Sequence, residues 1–180
     1  MRFAVARKIC VATGLYRPAR NLYRLLHSTE SVRFHEASSF YRELLQPDSL
    51  CFDIGANIGR LTEALLKAGM RVVAFEPQPE CLAELKAQCR NYGSKLQTYQ
   101  GVVGAEIGEA VLYRQEDRVL STLRADWYPG SKTSQVAMTS LDGAISQFGK
   151  PSYCKIDVEG WELEVLKGLT APIPLLSFEY

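Results

Sequence analysis

A short apolar run, Leu50-Cys51-Phe52-Asp53-Ile54, ends in Gly55-Ala56-Asn57-Ile58-Gly59 and gives way at once to a helical pattern over residues 60–68. No other stretch restricts the chain as much. An apolar run of this length, bounded by a glycine turn, reads as a strand buried on both faces. Leu61, Ala64, Leu65 and Ala68 then share one helical face, and Gly69 is a stop signal. Strand, turn and helix in so few residues open a βα unit, and the pattern repeats. Arg71 to Phe75 reads as a second strand, residues 79–90 as a helix carrying Leu82, Leu85 and Cys89, and residues 96–103 as a third strand. This alternation predicts an α/β fold, a Rossmann-like doubly wound and mostly parallel sheet.

Residues 104–140 break the alternation. Ala110 to Arg114 and Gln135 to Thr139 read as extra strands around a loop with Trp127, Tyr128, Pro129 and Gly130. The expectation is a β-rich insertion rather than a separate domain. Tyr153-Cys154-Lys155-Ile156-Asp157 resumes the main pattern as a fourth strand, followed by a helix over 161–167 and a fifth strand at Leu175 to Phe178. Upstream, Pro18 opens a helical stretch through Leu22, Leu25 and Leu26, and residues 31–45 read as another helix. The expected organisation is a helical segment over 1–46 and an α/β domain over 47–180.

Charge and cysteine content narrow the function classes. The 180 residues carry a net charge of +1, which advertises no nucleic-acid partner. The distribution is uneven, with six basic residues (Arg2, Arg7, Lys8, Arg17, Arg20, Arg24) and no acid before Glu30. That segment reads either as a solvated terminus or as a site of weak contact with an anionic membrane surface. The five cysteines show no C-x-x-C spacing, so the reading is a reduced, cytoplasmic protein with no disulfide framework and no metal site. No apolar run is long enough to span a membrane. Nothing in the sequence indicates an oligomeric state.

The chemistry concentrates at two strand ends. Gly55 lets the backbone turn sharply, and Gly59 is expected to let it pass close to a ligand. Glu76 follows the second strand, fixed by Pro77, where an acid is placed to accept the hydroxyls of a ribose. Glycine turn plus acid therefore implies a nucleoside-bearing cofactor. A dinucleotide fingerprint reads G-x-G-x-x-G, whereas here Asp53 precedes two glycines four apart. Asp53 repels a pyrophosphate and pairs with an ammonium group, which favours S-adenosylmethionine over a nicotinamide dinucleotide. The second constellation is Lys155-Ile156-Asp157-Val158-Glu159-Gly160-Trp161-Glu162. Strand alternation places Lys155, Asp157 and Glu159 on one side, facing the crevice of the glycine turn, if the strand extends that far. Asp157 and Glu159 are the candidate catalytic carboxylates; for Glu159 and Glu162 a plain helix-start preference is the alternative. His27 and His35 read as helix-face residues without metal-ligand spacing.

Taken together, the Asp53–Gly59 turn, Phe75-Glu76-Pro77, Ser140-Leu141-Asp142 and Lys155–Glu162 resemble the FkbM family of class I S-adenosylmethionine-dependent methyltransferases. The resemblance covers residues 50–180 and implies O-methylation of a hydroxyl on a sugar, glycolipid or secondary metabolite. By position, it implies that Asp53, Gly55, Ala56, Asn57 and Gly59 hold the methionine portion, Glu76 the ribose, and Gly101 and Val102 the adenine. Asp157 and Glu159 would face the methyl group, with Lys155, Ser121 and Thr122 lining the acceptor site. The implied partner is a small-molecule or glycan hydroxyl acceptor. The absence of an N-P-P-Y or D-P-P-Y after the fourth strand argues against methylation of nucleic-acid bases. The resemblance also implies two further strands after the fifth, so the sequence is expected to be truncated there. A non-catalytic cofactor-binding or interaction module is the competing expectation, and a nicotinamide oxidoreductase a third.

Overall fold

Leu50–Ile54 (β1) is buried along its whole length, because it lies in the middle of a five-stranded sheet whose faces are both covered. The computed structural model describes residues 37–114, 121–124 and 132–178. The chain divides into a unit of residues 1–40 and a unit of residues 41–180. The loop expected at Trp127–Gly130, His27, His35 and the basic N-terminal segment lie outside the described residues.

The main sheet has the order β3-β2-β1-β8-β9, with every pairing parallel. Its other strands are Arg71–Phe75 (β2), Leu96–Tyr99 (β3), Tyr153–Ile156 (β8) and Leu175–Phe178 (β9). Period-two alternation sorts β1 onto two cores. Phe52 and Ile54 join Val73, Phe75, Cys154 and Ile156 against Leu141 and Ala144 of Leu141–Phe148 (α4) and Val165 of Glu162–Lys167 (α5). Cys51 faces the other way, with Val72 and Tyr153, against Leu65 and Leu66 of Arg60–Lys67 (α2). Leu85 of Pro79–Gln88 (α3) packs on Ala74 of that same face. Residues 37–44 form the helix that leads into the domain (α1), and its Tyr41 packs on the α2-side core. Helices α2 and α3 therefore cover one face and α4 and α5 the other, which makes this a Rossmann-like, doubly wound α/β fold. Strand order reverses between β1 and β8, the crevice where such sheets bind ligands.

Two expected elements end differently. The helix read over 79–90 stops at Gln88, and a 3-10 segment over Arg90–Lys95 follows, with Gly93 at φ 54°. The strand read as 96–103 is two strands, β3 and Val102–Gly104 (β4), in different sheets. Gly101 marks the break. A Cβ there would lie 2.5 Å from the Ala137 carbonyl oxygen, so the glycine lets the chain press against a neighbouring strand and leave the main sheet. The second sheet runs β4-β7-β5-β6, adding Gly108–Arg114 (β5), Ser121–Thr122 (β6) and Lys132–Ser140 (β7). Strand β5 pairs antiparallel with β7 and with β6. Among the described residues, no helix is long and apolar enough to cross a membrane.

Phe52 is fully buried and meets Phe75 edge-on at 5.3 Å and Phe148 at 6.5 Å, joining β1, β2 and α4. Phe52→Ala is expected to cost about 3–5 kcal/mol, read as a lower urea midpoint at unchanged slope.

Candidate functional site

At the carboxyl end of β1, five consecutive amides must find acceptors as the chain turns into α2. Gly55 N and Ala56 N both donate to the Phe75 carbonyl at 3.0 Å, and Asn57 N donates to Glu76 Oε2 at 2.8 Å. Ile58 N donates to Asn57 Oδ1 at 2.7 Å, and Gly59 N to the Ala56 carbonyl at 2.9 Å. Gly55 and Gly59 have φ of 77° and 85°, and Asn57, the residue type that tolerates this region best after glycine, has 52°. A Cβ on Gly55 would overlap the Asp157 carbonyl oxygen, so this glycine lets the β8 exit close over the turn. Gly59 also has a neighbour within the chain. A Cβ there would lie 2.6 Å from Cγ of Leu85, so the close approach it permits is between α2 and α3.

Asp53 is fully buried. Its Oδ2 accepts from the Thr62 hydroxyl at 2.6 Å, while Oδ1 has no hydrogen-bond donor. Lys155 Nζ stands 3.7 Å from that Oδ1 and 2.9 Å from Asp157 Oδ2. Glu76, at 4% exposure, accepts from Asn57 N through one oxygen and from Gln78 N, at 2.9 Å, through the other. Burial pushes the Glu76 carboxyl up to about 7; the two backbone N–H bonds pull against that rise, the Asp53 charge adds to it and the Lys155 charge opposes it. Each carboxylate oxygen still has acceptor capacity beyond its one amide.

Strand β8 ends at Ile156, one residue earlier than expected, although Asp157 N still donates to the Ile54 carbonyl at 3.1 Å. Alternation then fails. Glu159 has φ 53° and Gly160 φ 88°, which makes residues 157–160 a tight turn instead of further strand. Glu162 Oε1 holds that turn by accepting from Val158 N at 2.9 Å and Gly160 N at 3.3 Å. Thr122 is buried, and its hydroxyl donates to the Glu159 carbonyl at 2.9 Å; Ser121 Oγ accepts from Gln78 Nε2 at 3.1 Å. Strand β6 is thereby pinned to the segment after Glu76 and to the turn after β8. Glu76 N donates to the Tyr99 carbonyl at 3.1 Å, which brings the end of β3 alongside β2; Gly101 and the buried Val102 follow it.

Asp53, Gly55, Ala56, Asn57, Glu76, Lys155 and Asp157 are thus joined directly or through one another, and Ser121, Thr122 and Glu159 are tied on through Gln78 and the β8 turn. Thr62, Gln78 and Glu162 complete the arrangement and were not singled out from the sequence as site residues. Glu162 carried a signal, an acid at a helix start, but its target amides were not readable. Among the described residues, no group of three His, Cys, Asp or Glu side chains is placed to hold a metal ion.

A family model described as the methyltransferase FkbM domain matches residues 53–176. The chain is similar to the hexuronic acid methyltransferase AglP of Haloferax volcanii, with 29% identity over 138 residues, 76% of this chain and 56% of that protein. It therefore spans a little over half the length of that relative. Among solved structures, the C-terminal domain of precorrin-6Y C5,15-methyltransferase from Rhodobacter capsulatus matches with TM-score 0.45 and 15% identity, over 73% of this chain and 54% of that one. An rRNA methylase from Streptococcus thermophilus matches with TM-score 0.44 and 13% identity, over 74% of this chain and 60% of that one.

Two outcomes are expected from this geometry. Gly55→Ala is expected to cost about 3 kcal/mol or more, from backbone strain plus the clash with Asp157, whereas Gly69→Ala, with open space around it, costs about 1–2 kcal/mol. Urea unfolding of the pair measures the difference. Separately, the folded protein holds the Glu76 proton more tightly than the unfolded chain does. Its contribution to stability is complete below pH 4.5 and is lost as pH rises through about 7, by about 3 kcal/mol in all. Unfolding midpoints at pH 5 and pH 8 test this: Glu76→Gln removes that part of the pH slope, and equal slopes would refute it.

Proposed function

The chain belongs to the methyltransferase FkbM domain family, and from that membership we propose that it binds S-adenosylmethionine and methylates a hydroxyl group on a sugar or related small molecule. The observation that carries the reading is the pair of buried carboxylates, Asp53 and Glu76, on either side of the glycine turn. All five turn amides are satisfied within the chain, so the turn is no cradle for a pyrophosphate. The buried Asp53 Oδ1, an acceptor without a donor, suits the ammonium of an amino-acid moiety. Glu76 retains acceptor sites for two ribose hydroxyls, and Gly101 and Val102 follow the neighbouring strand where the adenine is expected. These residues fit the cofactor, which when bound supplies a methyl group activated on a sulfonium.

The rest of the chemistry belongs to the protein. Transfer needs the acceptor oxygen held in line at about 3–3.5 Å from the methyl carbon, and alignment supplies much of the rate. A hydroxyl must also lose its proton as the bond forms. Asp157, with 39% of its side chain exposed, and Glu159 on the adjacent turn are the proposed groups to receive it. Ser121, Thr122 and Lys155 are proposed to border the acceptor. The relative that acts on a hexuronic acid supports a glycan or small-molecule hydroxyl acceptor over other substrate classes. Cys51, Cys89 and Cys154 are buried thiols outside any disulfide, which suits the reducing environment of a cytoplasm.

Thermal unfolding with S-adenosylmethionine tests the reading. At a hundred times Kd, binding stabilises by about 2.7 kcal/mol, and Glu76→Ala abolishes the shift. A cooperative transition that the cofactor leaves unmoved would overturn cofactor binding and favour an interaction module instead.

A further inference from the structure

Lys155 lies beside Asp53 in the sheet register, so the two side chains leave β8 and β1 on the same face. Its ammonium meets two carboxylates of different character. Asp157, at 2.9 Å, is 39% exposed and has water to stabilise its charge. Asp53, at 3.7 Å, has no exposure at all, and its one hydrogen bond, from Thr62, reaches the other oxygen. An oxygen taken out of water without a hydrogen-bond donor is compensated by an opposite charge placed near it. Among the described residues, Lys155 is the cation within ion-pair distance of it.

The backbone of Asp157 is fixed independently of the lysine, by the hydrogen bond its N–H donates to the Ile54 carbonyl and by the contact of its carbonyl with Gly55. What remains adjustable is the direction of its side chain, and Lys155 is the group that holds it. Burial pulls the Lys155 ammonium down, but Asp53 and the hydrogen bond to Asp157 outweigh it, so the proton is held more tightly than in an ordinary lysine.

We propose that Lys155 is a positioning residue, one cation shared by both halves of the site: it pairs with the buried Asp53 beneath the glycine turn and aims the Asp157 carboxylate. The consequence for catalysis rests on the methyltransferase reading; the shared charge does not. The border role suggested by sequence position then becomes an indirect one, exerted through two carboxylates.

Unfolding midpoints of the wild type, Lys155→Met, Asp53→Asn and the double variant, at neutral pH and without ligand, test the buried half. A charge role predicts that Lys155→Met lowers the midpoint, that Lys155→Arg lowers it less, and that Asp53→Asn restores most of the loss in the Lys155→Met background. If the lysine acted only by packing, the two losses would add, and the proposal would fall. In protein labelled with 15N-lysine, the Lys155 ammonium resonance is expected to move in both Asp53→Asn and Asp157→Asn. Movement in only one of them would overturn the sharing. On a hydroxyl acceptor that the wild type methylates, Lys155→Met is expected to lower kcat about 10- to 100-fold with acceptor KM nearly constant. Unchanged kcat would overturn the aiming of Asp157. Absence of any S-adenosylmethionine binding by the wild type would sink the methyltransferase reading alone, since the unfolding and resonance series still decide the shared charge.

Discussion

A strand buried on both faces has to leave its sheet without stranding its amides, and the rest of this domain depends on how residues 55–59 do so. The acceptors come from the neighbouring strand end: the Phe75 carbonyl takes two amides and the Glu76 carboxylate a third. That solution requires Ile54 to lie opposite Phe75, as the register has it. It also requires three residues at positive φ within five positions, two of them glycine. With the turn set this way, the exit of β8 lays its backbone against Gly55. Strand register, the place of Glu76 and the seat of Asp157 all follow from the bonding needs of one short segment.

The same strand ends gather charge that the remaining core avoids. Among the described residues, Asp53 and Glu76 are the charged side chains that are buried. Both lie where the sheet meets the crevice, restrained by partners from several elements: a helix hydroxyl and the ammonium of a β8 lysine for Asp53, and two loop amides for Glu76. Of the three non-glycine residues with left-handed backbone among those described, Asn57 and Glu159 fall in the same place, and Asp48 lies in the turn before β1. Polar burial and backbone strain are destabilising, and their concentration at one edge marks where the fold gives up stability for a site.

Most of the main sheet was legible because its signals are local. The apolar run of β1, the helical spacing from Leu61 to Ala68 and the glycines that bound them sit within a few residues of one another, and the structure places β1, β2 and β9 where the pattern put them. What escaped was set by distant neighbours. Residues 96–103 look like one strand because nothing local reveals that Gly101 presses against Ala137 and sends the chain into another sheet. That Gly59 also lets α2 approach Leu85 was hidden for the same reason, because the two stand twenty-six positions apart and are neighbours only in three dimensions. Alternation past Ile156 failed because Glu162 reaches back to the amides of Val158 and Gly160 and bends the chain there. At the site, Asp53 and Glu76 stood out as acids in strand-end positions, whereas Thr62 and Gln78 resemble ordinary surface polar residues until their partners are seen.

The shared carbonyl of Phe75 has a consequence for time as well as for shape. Surface turns usually open far more readily than the sheets they connect. Here the amides of Gly55 and Ala56 hang on an oxygen at the end of β2, a strand walled in by β1 and β3. Opening the turn breaks both of those bonds at once. The turn is therefore expected to share the slow opening of the sheet it is bonded to, and not that of an ordinary surface loop.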